Sequence, residues 1–225
     1  MPRHPPGQSQ ELRPGRAARG RVAAARALVA GLALVAILAQ LVDLAAHGAL
    51  RPATFFSYFT IQSALLGSGV LLVGAARWRT VRSLAFDLVR GGAVVYLLVT
   101  GIVFAVLLAG TDVDTALPWA NVMLHQVLPV AMLLDWLLVP PAQRLTGRHG
   151  LLWLSYPLAW AGYTLSRGAL VGQYPYPFLN PATAGAGRVA ASGVAILIGM
   201  LLLAEAVVLV GNAARARWSR RPPTR

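Results

Sequence analysis

Apolar residues gather into six long runs, over 27–46, 54–75, 91–109, 119–139, 151–168 and 189–211, separated by short polar connections. A helix needs about 20 apolar residues to cross a bilayer. In hydrocarbon every backbone polar group must be satisfied within the segment, which leaves the helix as the spanning form for runs of this kind. The pattern therefore predicts an all-α polytopic integral membrane protein with six transmembrane helices in one domain, 27–211. Residues 1–26 and 212–225 are polar, arginine-bearing tails. The first tail has too little apolar surface to fold and is predicted to be disordered. A signal peptide is the rival reading of the first run, because basic residues precede it and small ones follow. Signal cores span only about 7–15 residues, so the run reads as a retained helix.

The charge then orients the helices. All 20 basic residues are arginine, against 7 acids, for a formal charge of +13. Arg3, Arg13, Arg16, Arg19, Arg21 and Arg26 precede the first run. Arg77, Arg79, Arg82 and Arg90 join the second run to the third, and Arg144 and Arg148 the fourth to the fifth. Arg215, Arg217, Arg220, Arg221 and Arg225 close the chain. Only Arg51, Arg167 and Arg188 fall at the opposite ends. Positive loops face the cytoplasm, so both termini are predicted cytoplasmic, in a cell membrane. This asymmetry also accounts for a pI near 11.6 without nucleic-acid binding. With no cysteine, disulfides, thiolate metal sites and cysteine nucleophiles are excluded. No cofactor or metal is expected.

Two polar islands interrupt the apolar runs, Tyr58-Phe59-Thr60-Ile61-Gln62-Ser63 and Asn121-Val122-Met123-Leu124-His125-Gln126-Val127-Leu128-Pro129. At 1.5 Å rise per residue, Thr60 lies roughly 9 Å and His125 roughly 10 Å from the outer face. Asp43 and His47 end the first helix on that side, and Ser166 and Arg167 the fifth. Together these groups outline one partly wet, outward-facing pocket. Asp135 and Glu205 fall near the inner face, within reach of loop arginines, and read as structural charge partners; Asp87 beside Arg90 reads the same way.

Each polar residue also has an ordinary explanation. A membrane threonine bonds readily to the carbonyl four residues back, here Phe56. A lone membrane histidine commonly serves as interhelical glue. His125 nevertheless shares a helix face with Asn121, and Pro129 has no N–H for the His125 carbonyl, which loosens the helix there. The connection 169–187 carries Tyr174-Pro175-Tyr176-Pro177-Phe178-Leu179-Asn180-Pro181. Its prolines predict an extended, turn-rich path. It reads as an interfacial loop with anchoring aromatics rather than as a lid.

Phe59-Thr60-Ile61-Gln62, the Asn121/His125 pair, Leu128-Pro129 and the Tyr-Pro-Tyr-Pro-Phe-Leu run resemble the androgen-induced-gene family of six-helix membrane proteins, the last run its bacterial branch. The resemblance extends over about 27–211. It implies hydrolysis of fatty acid esters of hydroxy fatty acids, with Thr60 as nucleophile and His125 as catalytic histidine. That chemistry also requires an oxyanion hole; by spacing alone, rather than by the resemblance, Asn121 or Gln62 is its candidate donor, and Asp43 or His47 is the candidate to orient His125.

The implied partners are membrane lipids and a lipid ester substrate, with anionic phospholipids at the arginine-rich tails. The competing class is a non-catalytic membrane regulator or scaffold whose basic tails bind lipid or a partner. A transporter is disfavoured because Asp135 and Glu205 form no path with the outer polar groups.

Overall fold

The computed structural model describes residues 16–76, 83–108 and 117–220. Residues 1–15 of the basic N-terminal tail, Arg77, Arg79 and Arg82 of one basic connection, and Arg221 and Arg225 lie outside them. The described chain is helical, with no strand among its residues. Its long elements are α1 (Arg16–Ala46), α3 (Phe59–Ala76), α4 (Leu84–Val103), α6 (Leu128–Leu138), α8 (Ser155–Val171) and α10 (Ala186–Ser219). Short helices adjoin them: α2 (Pro52–Phe55), α5 (Pro118–Val122), α7 (Gly147–Leu152) and α9 (Pro181–Ala184). Five helical segments are long and apolar enough to cross a membrane: Gly20–Ala46, Phe59–Ala76, Leu84–Leu107, Pro118–Leu138 and Ala186–Ser219. Large apolar side chains such as Leu38, Leu170 and Leu202 point outward, as a lipid-facing exterior requires. The chain is a multi-pass membrane protein. The fifth apolar run forms α8, with 17 residues, preceded by a break at Trp153 and Leu154.

Two tails are shorter than their composition predicts. Helix α1 begins at Arg16, so 16–26 are helical rather than disordered, and α10 runs on to Ser219. At α10, Asn212 bonds Leu145 and Arg215 donates to the Ala142 carbonyl; at α1 the reason is local to Arg26. Its side chain is 6% exposed, with Nε and Nη2 donating to the two oxygens of Asp135 at 2.6 and 3.1 Å. Its Nη1 donates to the Gly74 carbonyl at 2.8 Å. Arg90 donates to Asp135 and Asp87, each at 3.2 Å, and Asp87 accepts the Ala142 N–H at 2.7 Å. Two guanidinium groups thus face two carboxylates, a neutral cluster that satisfies its charges inside the bundle. It ties α1, α3, α4 and α6 together. The partners of Asp135 are helix arginines, not loop arginines as expected. Glu205 likewise has no arginine partner among the described residues; its carboxylate lies against Gly147 and Gly150 at α7.

Helix α1 packs chiefly on α3, α3 on α4, and α4 on α6 and α10. The core between them is apolar and tightly closed, with Leu97, Leu128, Met132 and Trp136 fully buried. This rigid end holds the chain from which the polar end is built.

Candidate functional site

The second apolar run is not one helix. It breaks at Phe56, Ser57 and Tyr58, between α2 and α3. A break in hydrocarbon leaves carbonyls without helical donors, and they need local partners. Gln62 Nε2 donates to the Phe56 carbonyl at 2.7 Å, Trp160 Nε1 to the Ser57 carbonyl at 2.9 Å, and Ser57 Oγ to the Ala53 carbonyl at 2.5 Å. One consequence falls on Thr60, now in the first turn of α3. The Phe56 carbonyl is taken by Gln62, so the ordinary back-bond of a membrane threonine is replaced. Thr60 is 7% exposed, and its hydroxyl turns to two other partners.

The first is His125, whose Nε2 lies 3.3 Å from Thr60 Oγ1. The fourth run is also irregular: a π turn, Met123–Val127, separates α5 from α6. Its wider ladder is seen in the Leu128 N–H bonding to the Met123 carbonyl, five residues back. Pro129 explains the irregularity, since it has no N–H to close the regular bond to His125. The freed His125 carbonyl lies against Gly101 of α4, where a β-carbon would sit 2.6 Å away. Glycine at 101 is therefore required for this approach. Phe104, at the start of a second π turn (Phe104–Leu108) that continues α4, stacks on the imidazole with ring centroids 4.1 Å apart and planes 20° apart. Single π turns of this kind recur at functional sites.

The imidazole is also fixed in tautomer. Its Nδ1 lies 3.1 Å from the Asn121 carbonyl oxygen. A carbonyl only accepts, so Nδ1 carries the proton and the Nε2 lone pair faces Thr60. This arrangement has the order hydroxyl, base, orienting acceptor that an activated nucleophile needs.

The second partner of Thr60 is Tyr176, from the proline-rich connection whose aromatics alone suggest only interfacial anchoring. Its phenol oxygen is 3.3 Å from Thr60 Oγ1 and 3.3 Å from the Thr60 backbone nitrogen. The Thr60 N–H donates to the phenol oxygen, satisfying one of the open N–H groups at the start of α3. With Thr60 Oγ1–H given to His125, the phenol O–H donates to Thr60 Oγ1. Burial pushes the Tyr176 phenol up from its ordinary value, while its hydrogen bonds to Thr60 pull the other way; it therefore stays protonated at neutral pH. The loop reaches this depth because α8 ends in Gly172, with φ +68°, and turns back over the bundle. A 3-10 turn, Pro177–Leu179, and α9 then replace the extended path expected from the prolines. Each begins with proline at its first position, where the missing N–H costs nothing.

Thr60, His125, Asn121 and Tyr176 line one cavity of about 430 Å³, together with Gln40, Arg51, Thr54, Phe104 and Gln173. The other expected residues lie apart from it. Gln62 bonds Phe56 through its amide nitrogen and accepts from the Tyr156 hydroxyl through its oxygen, and it is not among the residues lining the cavity. Asp43 lies 3.6 Å from His47 Nδ1, and the two do not orient His125; the Asn121 carbonyl does. No group of His, Cys, Asp and Glu able to hold a metal occurs among the described residues. No family model, curated protein or solved structure matches the chain.

Proposed function

We propose that this protein is a membrane-embedded lipid-ester hydrolase with Thr60 as nucleophile and His125 as its base. The observation that carries the reading is the 3.3 Å approach of Thr60 Oγ1 to His125 Nε2, with Nδ1 held on a carbonyl. Burial of the hydroxyl beside an open cavity supports it as well. In this account six helices span the bilayer, α8 included, both termini are cytoplasmic, and the site faces the outer leaflet of the cell membrane. A lipid acyl chain then enters from the side, and the fatty acid esters of hydroxy fatty acids suggested by the family resemblance are the first substrates to examine.

The steps follow from the hydrogen bonds. His125 Nε2 takes the Thr60 hydroxyl proton as Oγ1 bonds to the ester carbonyl carbon. The tetrahedral intermediate collapses, the carbon–oxygen bond to the alcohol breaks, and the alcohol leaves with the proton from Nε2. Water then gives a proton to Nε2 and attacks the acyl-threonine, which releases the fatty acid and restores Thr60. Asn121 lines the cavity on the histidine side and is the remaining oxyanion donor among the residues considered.

Ester turnover by the purified protein tests this reading. Wild type is expected to release fatty acid from such esters, and Thr60→Ala and His125→Ala, folded and at equal concentration, are expected not to. Turnover that survives Thr60→Ala would overturn the assignment, and a folded wild type inert on a broad panel of lipid esters would favour a scaffold.

A further inference from the structure

Two of the three arginines that break the charge asymmetry lie at the cavity. Among the three at the ends opposite the basic tails, Arg51 lines the same cavity as Thr60. Its side chain is exposed, and its guanidinium has no hydrogen-bond or ion-pair partner among the described residues. Arg167 approaches from α8. Its Nη2 donates to Thr54 Oγ1 at 3.1 Å, and that hydroxyl faces Gln173 Oε1 at 3.4 Å. Thr54 and Gln173 both line the cavity. One lip therefore carries two positive groups, three residues of α2 and its N-cap being enough to bring Arg51 and Thr54 side by side.

The carboxylates within the described residues do not neutralise this lip. Asp87 and Asp135 are consumed by Arg26 and Arg90, Glu205 lies at α7, and Asp43 faces His47. An interfacial arginine commonly snorkels to headgroups without any specific ligand. Two observations set this pair apart: the cavity joins an exposed arginine to a buried threonine hydroxyl, and a second, half-buried arginine is hydrogen-bonded to Thr54 of its wall. The cavity's volume, about 430 Å³, also falls within the range of ligand cavities, about 300–1,000 Å³.

We infer that the Arg51/Arg167 lip binds an anionic end of the lipid, a carboxylate or a phosphate, and so selects charged esters over neutral ones. This rests on the hydrolase reading for the word substrate, but the binding itself does not require turnover. Guanidinium donors suit either oxyanion, through paired N–H groups. The lip holds the charged end at the headgroup layer while the ester reaches Thr60 below.

The test is binding of three C16 probes to the full-length protein carrying Thr60→Ala, which separates binding from chemistry. The probes are hexadecanoate, hexadecyl phosphate and hexadecanol, each corrected for partition into protein-free neutral micelles. At least one anion is expected to bind at least tenfold more tightly than hexadecanol, and which anion does so identifies the carboxylate or the phosphate as the recognised head. Arg51→Gln and Arg167→Gln are each expected to reduce that preference to threefold or less. Arg51→Lys keeps most of it, and Arg188→Gln, removing the third exceptional arginine, keeps all of it. Equal binding of alcohol and anions overturns the inference, as does a preference that survives both glutamine variants in folded protein. Anion selectivity in Thr60→Ala, combined with an inert wild type, would leave the lip standing and remove the hydrolase.

Discussion

Thr60 Oγ1 and Tyr176 Oη lie 3.3 Å apart, although 116 residues separate them in the chain. The same phenol oxygen accepts the Thr60 N–H, so a loop residue holds both the backbone and the hydroxyl of the proposed nucleophile. Tyr176 is a positioning residue in this account. On that reading its O–H donates to Thr60 Oγ1, which directs the threonine proton toward His125.

Tyr176→Phe removes that hydrogen bond while keeping the ring, which stacks on Phe178 with centroids 5.3 Å apart. A buried hydrogen bond contributes about 1 kcal/mol net, roughly a factor of five in rate at about 1.4 kcal/mol per decade. Ester turnover is expected to fall roughly fivefold in kcat with KM little changed. A change confined to KM would instead make Tyr176 a substrate contact.

Thr60→Ser keeps the hydroxyl and loses a methyl group, so it is expected to retain measurable turnover. Thr60→Ala loses the nucleophile. His125→Gln keeps a polar group of similar size and removes the base, with an expected loss of about 10²–10⁴-fold. Steady-state rates on one ester decide among the three.

Gly101→Ala tests the π turn without touching the cavity. The added carbon would meet the His125 carbonyl at 2.6 Å, and backbone gives way poorly. Displacement of the imidazole from Thr60 is expected to cost at least tenfold in turnover, since small misplacements of a reacting pair have large effects on rate. A Gly101→Ala protein with wild-type turnover would show that the π turn has slack that the packing does not reveal.

Arg26→Met belongs to the other end of the molecule. It leaves Asp135 short of its bidentate partner, and stranding one member of a buried ion pair costs about 3–5 kcal/mol. Thermal melting of the purified protein is expected to shift downward by several degrees, while turnover per folded molecule stays within a factor of two of wild type. Loss of turnover without loss of stability would mean that the ionic cluster and the cavity are coupled.

Gln62→Ala and Asp43→Asn separate neighbours from participants. Spacing offers Gln62 as an oxyanion donor and its outer-end position offers Asp43 as an orienting group, but Gln62 bonds Phe56 and Tyr156, and Asp43 faces His47. Asp43→Asn is expected to leave turnover within threefold of wild type. Gln62→Ala strands the Phe56 carbonyl and is expected to lower the melting temperature more than it lowers kcat, read by melting and kinetics side by side.

Much of the fold is legible because hydrocarbon imposes a length on each apolar run, and the helices occur where those runs do. The pairing of Thr60 with His125 is legible too, since helix rise sets both at similar distances from the starts of their runs, and the two side chains lie 3.3 Å apart. The break after Phe55 is not. Nothing in Phe56-Ser57-Tyr58 forbids helix, and the break survives because Gln62, Trp160 and Ser57 satisfy the freed groups from other turns and helices. Tyr176 is hidden for a related reason: an aromatic in a proline-rich loop looks like an interfacial anchor until the αL turn at Gly172 folds it back. Arg26 is hidden by its neighbours in sequence, a row of basic residues that suggests a solvated tail. Its partner Asp135 is 109 residues away.

The central claim is that Thr60 is an activated hydroxyl. Reaction of the detergent-purified, folded protein with a fluorophosphonate probe, followed by peptide mapping of the adduct, tests it most directly. The account predicts a phosphonyl group on Thr60 in wild type, lost in Thr60→Ala and in His125→Ala while Gly20–Ala46 and the other spans remain folded. An adduct on another residue, or labelling of Thr60 that persists in His125→Ala, would contradict it.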